Sequence, residues 1–268
     1  MAINHLLRPL APISDSTWTL LDQEARDRLT PALGARKLVD FSGPHGWQHS
    51  ATDLGRTATL ADAPSEGVTG AQRRVLALVE LRADFELALE ELRDADRGAA
   101  DPDLEPLDRA AHQIACAENI AVFRGLSGVI GGIAQATPHQ PIQVGGTAGE
   151  YPGALAGAIG VLLDSGIGGP YGLALAGEQY RRIAASPAQG GYPLLEHVRK
   201  IIDGPIVWVP GVEGAVVLSM RGGDFLFESG QDLAIGYAAH DAKAVALYLQ
   251  ESFSFRVATP EAAVVLSA

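Results

Sequence analysis

Apolar residues recur at helical spacing near the start of the chain, and this pattern predicts an amphipathic helix. Its apolar face is formed by Trp18, Leu21, Ala25 and Leu29. Ser14 or Asp15 can cap the first turn. Thr30-Pro31 predicts the end of the helix, because the residue before a proline disfavours the helical region. Residues 36–41 then predict a strand.

Strict alternation replaces the helical pattern between residues 75 and 87. Apolar residues there alternate with mostly charged ones, which predicts one long, half-buried strand. With the extended residues from 48 onwards it forms a long arm, whose tip at 61–70 is rich in Ala, Ser, Gly and Pro. Two strands alone are marginal in water, so the arm packs either on its own domain or on a neighbouring subunit.

The rest of the chain contains stretches with helical spacing and stretches with strand alternation. Helices are predicted at 89–97 and from about 101 to 123, and Gly125 is expected to end the second. From about residue 135 the composition shifts to Gly, Ala and Pro. Helices are predicted there at 152–163, 178–185 and 194–202, and strands at 171–176, 206–209 and 215–219. Such alternation indicates a compact α/β subdomain. The remaining sequence returns to strands at 225–228 and about 245–257.

Composition narrows the classes of function. The 268 residues carry a formal net charge of −12, which disfavours a nucleic-acid partner. The single cysteine, Cys116, excludes an intramolecular disulfide and fits a reducing compartment. No signal peptide and no membrane-spanning stretch are visible, so we expect a soluble cytoplasmic protein, with release by a signal-independent route as the alternative.

Catalytic chemistry is weakly represented. The seven histidines lack zinc-site spacing; His45 and His49 flank Trp47 and could meet, but ordinary turn histidines are the favoured interpretation. Cys116 reads as a buried inert thiol. Residues 164–169 resemble a phosphate loop only loosely, since they lack its lysine. We therefore expect no catalytic set, no metal and no cofactor, and favour a structural or binding protein over an enzyme.

Several motifs jointly resemble one family, the encapsulins. They are Ala11-Pro12-Ile13-Ser14, residues 35–40, Gly43-Pro44-His45-Gly46-Trp47, residues 78–85, Asp96-Arg97-Gly98, residues 122–125, Gly222-Gly223-Asp224 with the run to Tyr237, and residues 251–255. They follow in order along nearly the whole chain. Older names for encapsulins are linocin or bacteriocin, and some were labelled as proteases. The family is related to the major capsid proteins of tailed phages.

This resemblance implies an α+β fold of the Hong Kong 97-type phage major capsid class. That fold has a packing domain, an extended arm (the E-loop) and an axial domain. The implied division is the N-terminal helix and packing domain at 1–47, the arm at 48–87, packing-domain helices at 88–134, the axial domain at 135–221 and the packing-domain return at 222–268.

The resemblance also implies a function. Encapsulins self-assemble into closed icosahedral shells in the cytoplasm, and this chain length resembles the smallest, T=1 shells of sixty copies. They enclose cargo enzymes, often dye-decolorising peroxidases or ferritin-like iron proteins, for oxidative-stress defence or iron storage. A short C-terminal cargo peptide docks on the inner wall. A stand-alone enzyme and a phage capsid protein are the alternatives.

Two sites follow from the same resemblance. The cargo-peptide groove is expected at Leu21, Ala25, Leu29, Arg36, Asp40, Ile235, Gly236 and Tyr237, although the helix residues could equally be simple core. Arg36 would donate to peptide carbonyls, so changes at Arg36 and Asp40, or Ile235→Asp, should reduce loading and leave assembly intact. A pore loop is expected at Ser186, Pro187, Ala188, Gln189, Gly190, Gly191 and Tyr192.

Overall fold

A computed structural model describes residues 5–62, 65–186 and 193–267. Helices are interspersed with mostly antiparallel strands, so the predicted α+β class is confirmed. The helices are α1 (Asp15–Ala32), α2 (Leu89–Asp96), α3 (Glu105–Phe123), α4 (Ile133–Ala136), α5 (Tyr151–Asp164), α6 (Gly177–Ala185) and α7 (Leu194–Ile201).

The strands build two five-stranded sheets and one hairpin. They are β1 (Asp40–Ser42), β2 (Ala51–Thr59), β3 (Ala71–Ala77), β4 (Val79–Ala88), β5 (Ile142–Gln143), β6 (Tyr171–Leu175), β7 (Ile206–Trp208), β8 (Ala215–Ser219), β9 (Phe225–Ser229), β10 (Ala234–His240), β11 (Ala244–Val257) and β12 (Ala263–Ser267).

The first sheet is organised around β11. Its order is β1-β9-β11-β10, and β4 also pairs with β11 in antiparallel register from Ala88 and Ala244 to Val79 and Phe253. Helices α1 and α3 pack beside this sheet and bury a separate apolar cluster with it. The cluster includes Trp18, Leu21, Phe85, Leu107, Ile114 and Leu247. Most of β11 is buried, because its side chains pack into both apolar clusters: Val245, Leu247 and Leu249 into this one, and Phe253 and Phe255 into the core of the second sheet.

The second sheet has the order β5-β12-β8-β6-β7. Its strands β6 and β8 are buried along their whole length, as expected of strands that are covered on both faces. Helix α5 packs against β8 and β12 and also contacts α7. This second core is joined by Phe225, Phe227 and Phe253 of the first sheet, so the two sheets share one continuous apolar interior.

Strands β2 and β3 form a hairpin that pairs with no other strand in the described ranges. Its register runs from Ala51 opposite Ala77 to Thr59 opposite Ala71, with an irregularity between Asp53 and Arg56. Gly55 has a φ of 62° inside that irregularity, a conformation that glycine adopts without strain. Most hairpin residues are exposed.

The prediction of a single long strand at 75–87 is wrong, because the structure divides this stretch at Leu78 into β3 and β4. The N–H of Leu78 donates to the carbonyl oxygen of Ser50 at 3.0 Å, still within the base of the hairpin. From Val79 the chain leaves β2 and pairs with β11 instead. The proposed division into packing, arm and axial regions stays a prediction.

Two further expectations are wrong at the end of α1. The helix continues through Pro31 to Ala32, since a proline in the last turn removes only one N–H. The strand predicted at 36–41 is mostly a turn of 3-10 helix at Ala35–Lys37, followed by the short β1. Asn119 imposes this turn: its Oδ1 accepts from the N–H of Ala35 at 2.9 Å, and its Nδ2 donates to Ala32 O at 2.9 Å. The other predicted helices and strands are confirmed with small boundary differences.

Candidate functional site

A groove of about 420 Å³ lies between the second half of α1 and the start of β10. Its apolar lining is Ala25, Leu29, Leu33, Leu233, Ile235 and Leu249. Its polar lining is Arg8, Asp22, Arg26, Thr30, Arg36 and Asp232. A groove that combines apolar side chains with charged and polar groups can anchor a peptide and also bond to its backbone.

Four of the predicted groove residues line this cavity. They are Ala25, Leu29, Arg36 and Ile235. Leu21 lies fully buried behind them in the α1–α3 core. The structure therefore brings half of the predicted set together, from α1, the 3-10 turn and β10.

Ile235 is only 1% exposed and belongs to the same apolar cluster as Trp18. A charge at this position would be placed in the core, so Ile235→Asp would destabilise the subunit as well as the groove. We therefore expect Ile235→Asp to impair assembly as well as loading, so the variant does not test the groove cleanly. Leu233, which is half-buried on the groove wall, is the better position for a probe.

The guanidinium of Arg36 is held by three carboxylates. Its Nε donates to Glu118 Oε2 at 2.7 Å, its Nη1 to Asp232 Oδ1 at 2.7 Å and its Nη2 to Glu251 Oε2 at 2.8 Å. Burial opposes the charge of Arg36, but the fields of Glu118 and Glu251 outweigh it and raise the pKa of Arg36. Because three carboxylates already hold this guanidinium, we infer that Arg36 mainly stabilises the groove wall, and its role as a donor to peptide carbonyls stays a prediction.

The Arg36 cluster, defined as Arg36, Glu118, Asp232 and Glu251, contains one cation and three acids. Burial raises the pKa of Glu251 well above its usual range, and the neighbouring Glu118 adds to the rise, while Arg36 opposes it. Glu118 Oε1 and Glu251 Oε1 are buried without a hydrogen-bond donor. The raised pKa favours the protonated form of Glu251, whose hydroxyl can act as a donor inside the cluster.

Asp40 does not reach the groove. Its Oδ2 accepts from the N–H of Gly223 at 2.7 Å, and it borders two other cavities. Gly222 and Gly223 have φ values of 88° and 84°, which only glycine adopts freely. Asp224 pairs with Arg221 through two contacts of 3.0 Å. The Gly222-Gly223-Asp224 motif is thus a turn that Asp40 holds in place.

Gly236 and Tyr237 also lie outside the groove lining. A side chain at Gly236 would meet the ring of Tyr248, with a Cβ only 2.1 Å from its Cζ, so the glycine permits a close approach. The hydroxyl of Tyr237 lies 2.6 Å from His240 Nδ1. These two residues shape β10 and do not meet Leu29 or Arg36 in the cavity.

Sequence reasoning missed the N-terminal segment, residues His5–Arg8. Arg8 lines the groove and makes paired contacts of 2.8 and 2.6 Å with Asp22. The only sequence signal was a basic residue ahead of an acidic helix, which by itself indicates no contact.

The histidines and the cysteine form no reactive set in the described residues. His45 and His49 do meet, with ring centroids 4.9 Å apart, and His49 Nε2 lies 2.7 Å from Glu228 Oε1. Cys116 Sγ lies 3.5 Å from His112 Nε2, but burial raises the pKa of the thiol and so disfavours the reactive thiolate. Within the described ranges no three potential ligands are grouped to hold a metal ion.

Only the first residue of the predicted pore loop, Ser186, lies within the described residues. Ser186 follows α6, and its hydroxyl donates to the carbonyl oxygen of Arg182 at 2.7 Å. Residues 187–192 lie outside the described residues, so the pore stays a prediction. No helix in the described ranges is both long and apolar enough to cross a membrane.

Comparisons with known proteins place these features in a family. Residues 3–254 match the family described as "Encapsulating protein for peroxidase". The chain is 46% identical over 270 residues to the type 1 encapsulin shell protein of Rhodospirillum rubrum, covering 98% of this chain and 96% of that one. It is 37% identical over 266 residues to the type 1 encapsulin shell protein of Mycobacterium tuberculosis, covering 99% and 100%.

Solved structures show the fold. The virus-like particle from Pyrococcus furiosus matches with a TM-score of 0.66 at 17% identity, over 93% of this chain and 99% of that one. The capsid of Myoviridae phage XM1 matches with a TM-score of 0.54 at 8% identity, over 87% and 90%. The predicted capsid fold is therefore confirmed.

Proposed function

The chain belongs to the family of type 1 encapsulin shell proteins, and from that premise we propose that it is the subunit of a closed icosahedral shell that encloses cargo. The resemblance drawn from its sequence motifs is confirmed at the level of the family. We place the shell in the cytoplasm, with sixty copies. Its proposed cargo is a dye-decolorising peroxidase or a ferritin-like protein, serving oxidative-stress defence or iron storage.

The observation that carries the assembly proposal is the β2–β3 hairpin. It is mostly exposed and carries the exposed apolar residues Leu60, Val68 and Val75 at or near its strands. Two strands cannot bury an apolar face between themselves. A second copy of the same chain supplies the missing surface, and repetition of that contact around a closed set of copies builds a shell.

The groove supports the cargo half of the proposal. A disordered tail loses conformational entropy when it docks, so it needs apolar anchors together with directional polar contacts. The groove offers both, with Leu29, Leu33 and Leu233 near the carboxylates of Asp22 and Asp232. Asp232 keeps a side chain that is 46% exposed although it pairs with Arg36, so it remains accessible to a bound tail.

Co-expression with a dye-decolorising peroxidase that keeps its own C-terminal tail tests the proposal. Sedimentation gives the particle mass, and gel densitometry gives cargo per shell. We expect particles of megadalton mass that contain peroxidase. Leu233→Asp should assemble but lose most of its cargo, because a charge on the groove wall opposes apolar anchors. Val129→Asp adds the same charge at an exposed apolar position outside the groove and should load normally.

The outcomes separate the alternatives. A stable small oligomer of the 28.0 kDa subunit would overturn the shell and favour a stand-alone enzyme. Shells in which Leu233→Asp loads as well as Val129→Asp would place cargo docking elsewhere on the subunit.

A further inference from the structure

The outer edge of β10 is covered by the N-terminal segment. The N–H of Tyr237 donates to the carbonyl oxygen of Leu6 at 2.8 Å, and Arg8 Nε donates to the carbonyl oxygen of Ile235 at 2.8 Å. Among the described residues β10 pairs with one strand, β11, so it is an edge strand. Alternate residues of a strand direct their backbone groups to the same edge, and Ile235 and Tyr237 share this outer one.

The N-terminal segment is held by polar contacts and by ring contacts at both of its ends, since His5 stacks on Trp47 with ring centroids 4.1 Å apart. Arg8 pairs with Asp22 and lies 4.5 Å from the ring centroid of Trp18, while no residue of the segment is buried. Leu7 has a φ of 53°, a left-handed conformation that is strained for leucine. A strained segment with little apolar burial separates from its surface more readily than a core element does.

The contact between the N-terminal segment and β10 lies at the rim of the groove. Arg8 and Ile235 both line the cavity, together with Asp22. An extended chain that enters the groove along β10 therefore meets backbone groups that the protein's own Leu6 and Arg8 already occupy.

We propose that the N-terminal segment is an exchangeable occupant of the β10 edge, and that an extended peptide docks by displacing it. The incoming peptide pairs with the carbonyl of Ile235 and the amide of Tyr237, which is recognition by strand addition. The proposal rests on the proposed function, which supplies a cargo tail. It adds the backbone edge as the docking surface and identifies the segment as the competitor.

The test uses the segment itself as the probe. A fluorescent protein carries residues 5–12 of this chain at its C-terminus and is co-expressed with either of two shells. One shell is the full chain, and the other begins at Pro9 after an initiating Met. Reporter fluorescence per particle is measured after sedimentation, with an untailed fluorescent protein as the baseline.

We expect the shell that begins at Pro9 to retain about tenfold more tailed reporter than the full-length shell, since its edge is free. Arg8→Ala in the tail should return the signal to the untailed baseline. Equal retention of tailed and untailed reporter by assembled Pro9 shells would overturn the proposal.

A second measurement covers the case in which the shortened chain does not assemble. Hydrogen exchange in the full chain with Arg8→Ala should accelerate at the Tyr237 amide. Arg26→Ala, which removes another guanidinium from the groove lining, should leave it unchanged. Unchanged exchange in Arg8→Ala would overturn the proposal. The reporter needs no native cargo, so failure of peroxidase loading and failure of segment exchange are distinguishable.

Discussion

Arg36 is the residue on which several distant parts of the chain converge. It joins the end of α1 to α3 through Glu118, to β11 through Glu251 and to the turn before β10 through Asp232. Removal of one partner from a buried ion cluster leaves uncompensated charge and costs about 3–5 kcal/mol. We therefore assign Arg36 to the stability of the groove wall, so loading defects in Arg36 variants would not identify a peptide contact.

The raised pKa of Glu251 makes stability depend on pH. Its pKa is raised in the fold, so the folded state binds a proton that the unfolded chain has lost. The contribution of Glu251 to stability should be fully present below the ordinary glutamate pKa of 4.5 and should be lost as pH rises through the folded pKa. The limiting slope for one proton is about 1.4 kcal/mol per pH unit. Urea unfolding followed between about pH 5 and about pH 8 measures this loss.

Glu251→Gln is the matched variant, because it keeps the shape and supplies a permanent donor. It should flatten the pH dependence over that range. Glu228 serves as an internal contrast: hydrogen bonds from Thr52 and His49 lower its pKa against the effect of burial, so its contribution is lost only in acid. An unchanged slope in Glu251→Gln would show that the pH dependence does not come from Glu251.

The sequence predicted Arg36 as a groove residue but not its partners. Glu118, Asp232 and Glu251 lie 82, 196 and 215 residues away, and no local pattern records such pairings. Leu21, Ala25 and Leu29 were predictable from helical spacing, yet spacing alone does not separate the fully buried Leu21 from the groove-lining Ala25.

At the scale of elements, the hairpin and β4 are consecutive but have different partners. The hairpin pairs only with itself in the described ranges, whereas β4 is locked to β11. The hairpin base is also fixed, because Thr52 and His49 both contact Glu228 of β9 at 2.7 Å. The hairpin is therefore anchored at its base, and the distal parts of β2 and β3 are free to contact another molecule.

Removal of the outer hairpin should block assembly and leave the subunit folded. Replacing residues 60–70 and the adjoining strand ends by a two-residue Asn-Gly turn removes Leu60 and Val68 but spares β4. Soluble capsomers or aggregate should replace shells in negative-stain images. Circular dichroism of the soluble fraction checks the fold, and normal shells from this variant would refute the role of the hairpin in assembly.

The break between β3 and β4 was invisible to periodicity. Val75, Ala77, Val79 and Leu81 keep the same alternation across Leu78, because alternation records which face is apolar and not which strand is the neighbour. The helices were predictable from the sequence, since each buries one face whose apolar residues recur at helical spacing. The 3-10 turn at Ala35–Lys37 depends on Asn119, a tertiary partner that propensity does not include.

For the whole molecule, the chemistry of the described residues agrees with a passive wall. The nearest approach to a reactive pair is Cys116 with His112, where burial raises the pKa of the thiol and disfavours the thiolate. A nucleophile needs both an activated form and an oriented base, and this pair lacks the first.

Cargo-free shells should therefore show no peroxidase, ferroxidase or protease turnover. Shells expressed without cargo are assayed for each activity, with Cys116→Ser as the comparison. The two should be indistinguishable from buffer. Turnover in wild-type shells that Cys116→Ser abolishes would contradict this assignment.

The strand order has a consequence for synthesis on the ribosome. Strand β11 is the centre of the first sheet, and β12 lies between β5 and β8 in the second, so both sheets require residues 244–267. Strand β4 cannot pair until β11, which lies more than 150 residues downstream, has been synthesised. A nascent chain released before that region is made can complete neither sheet. We therefore expect assembled particles to lack prematurely terminated products, because only chains that contain residues 244–267 can complete both sheets.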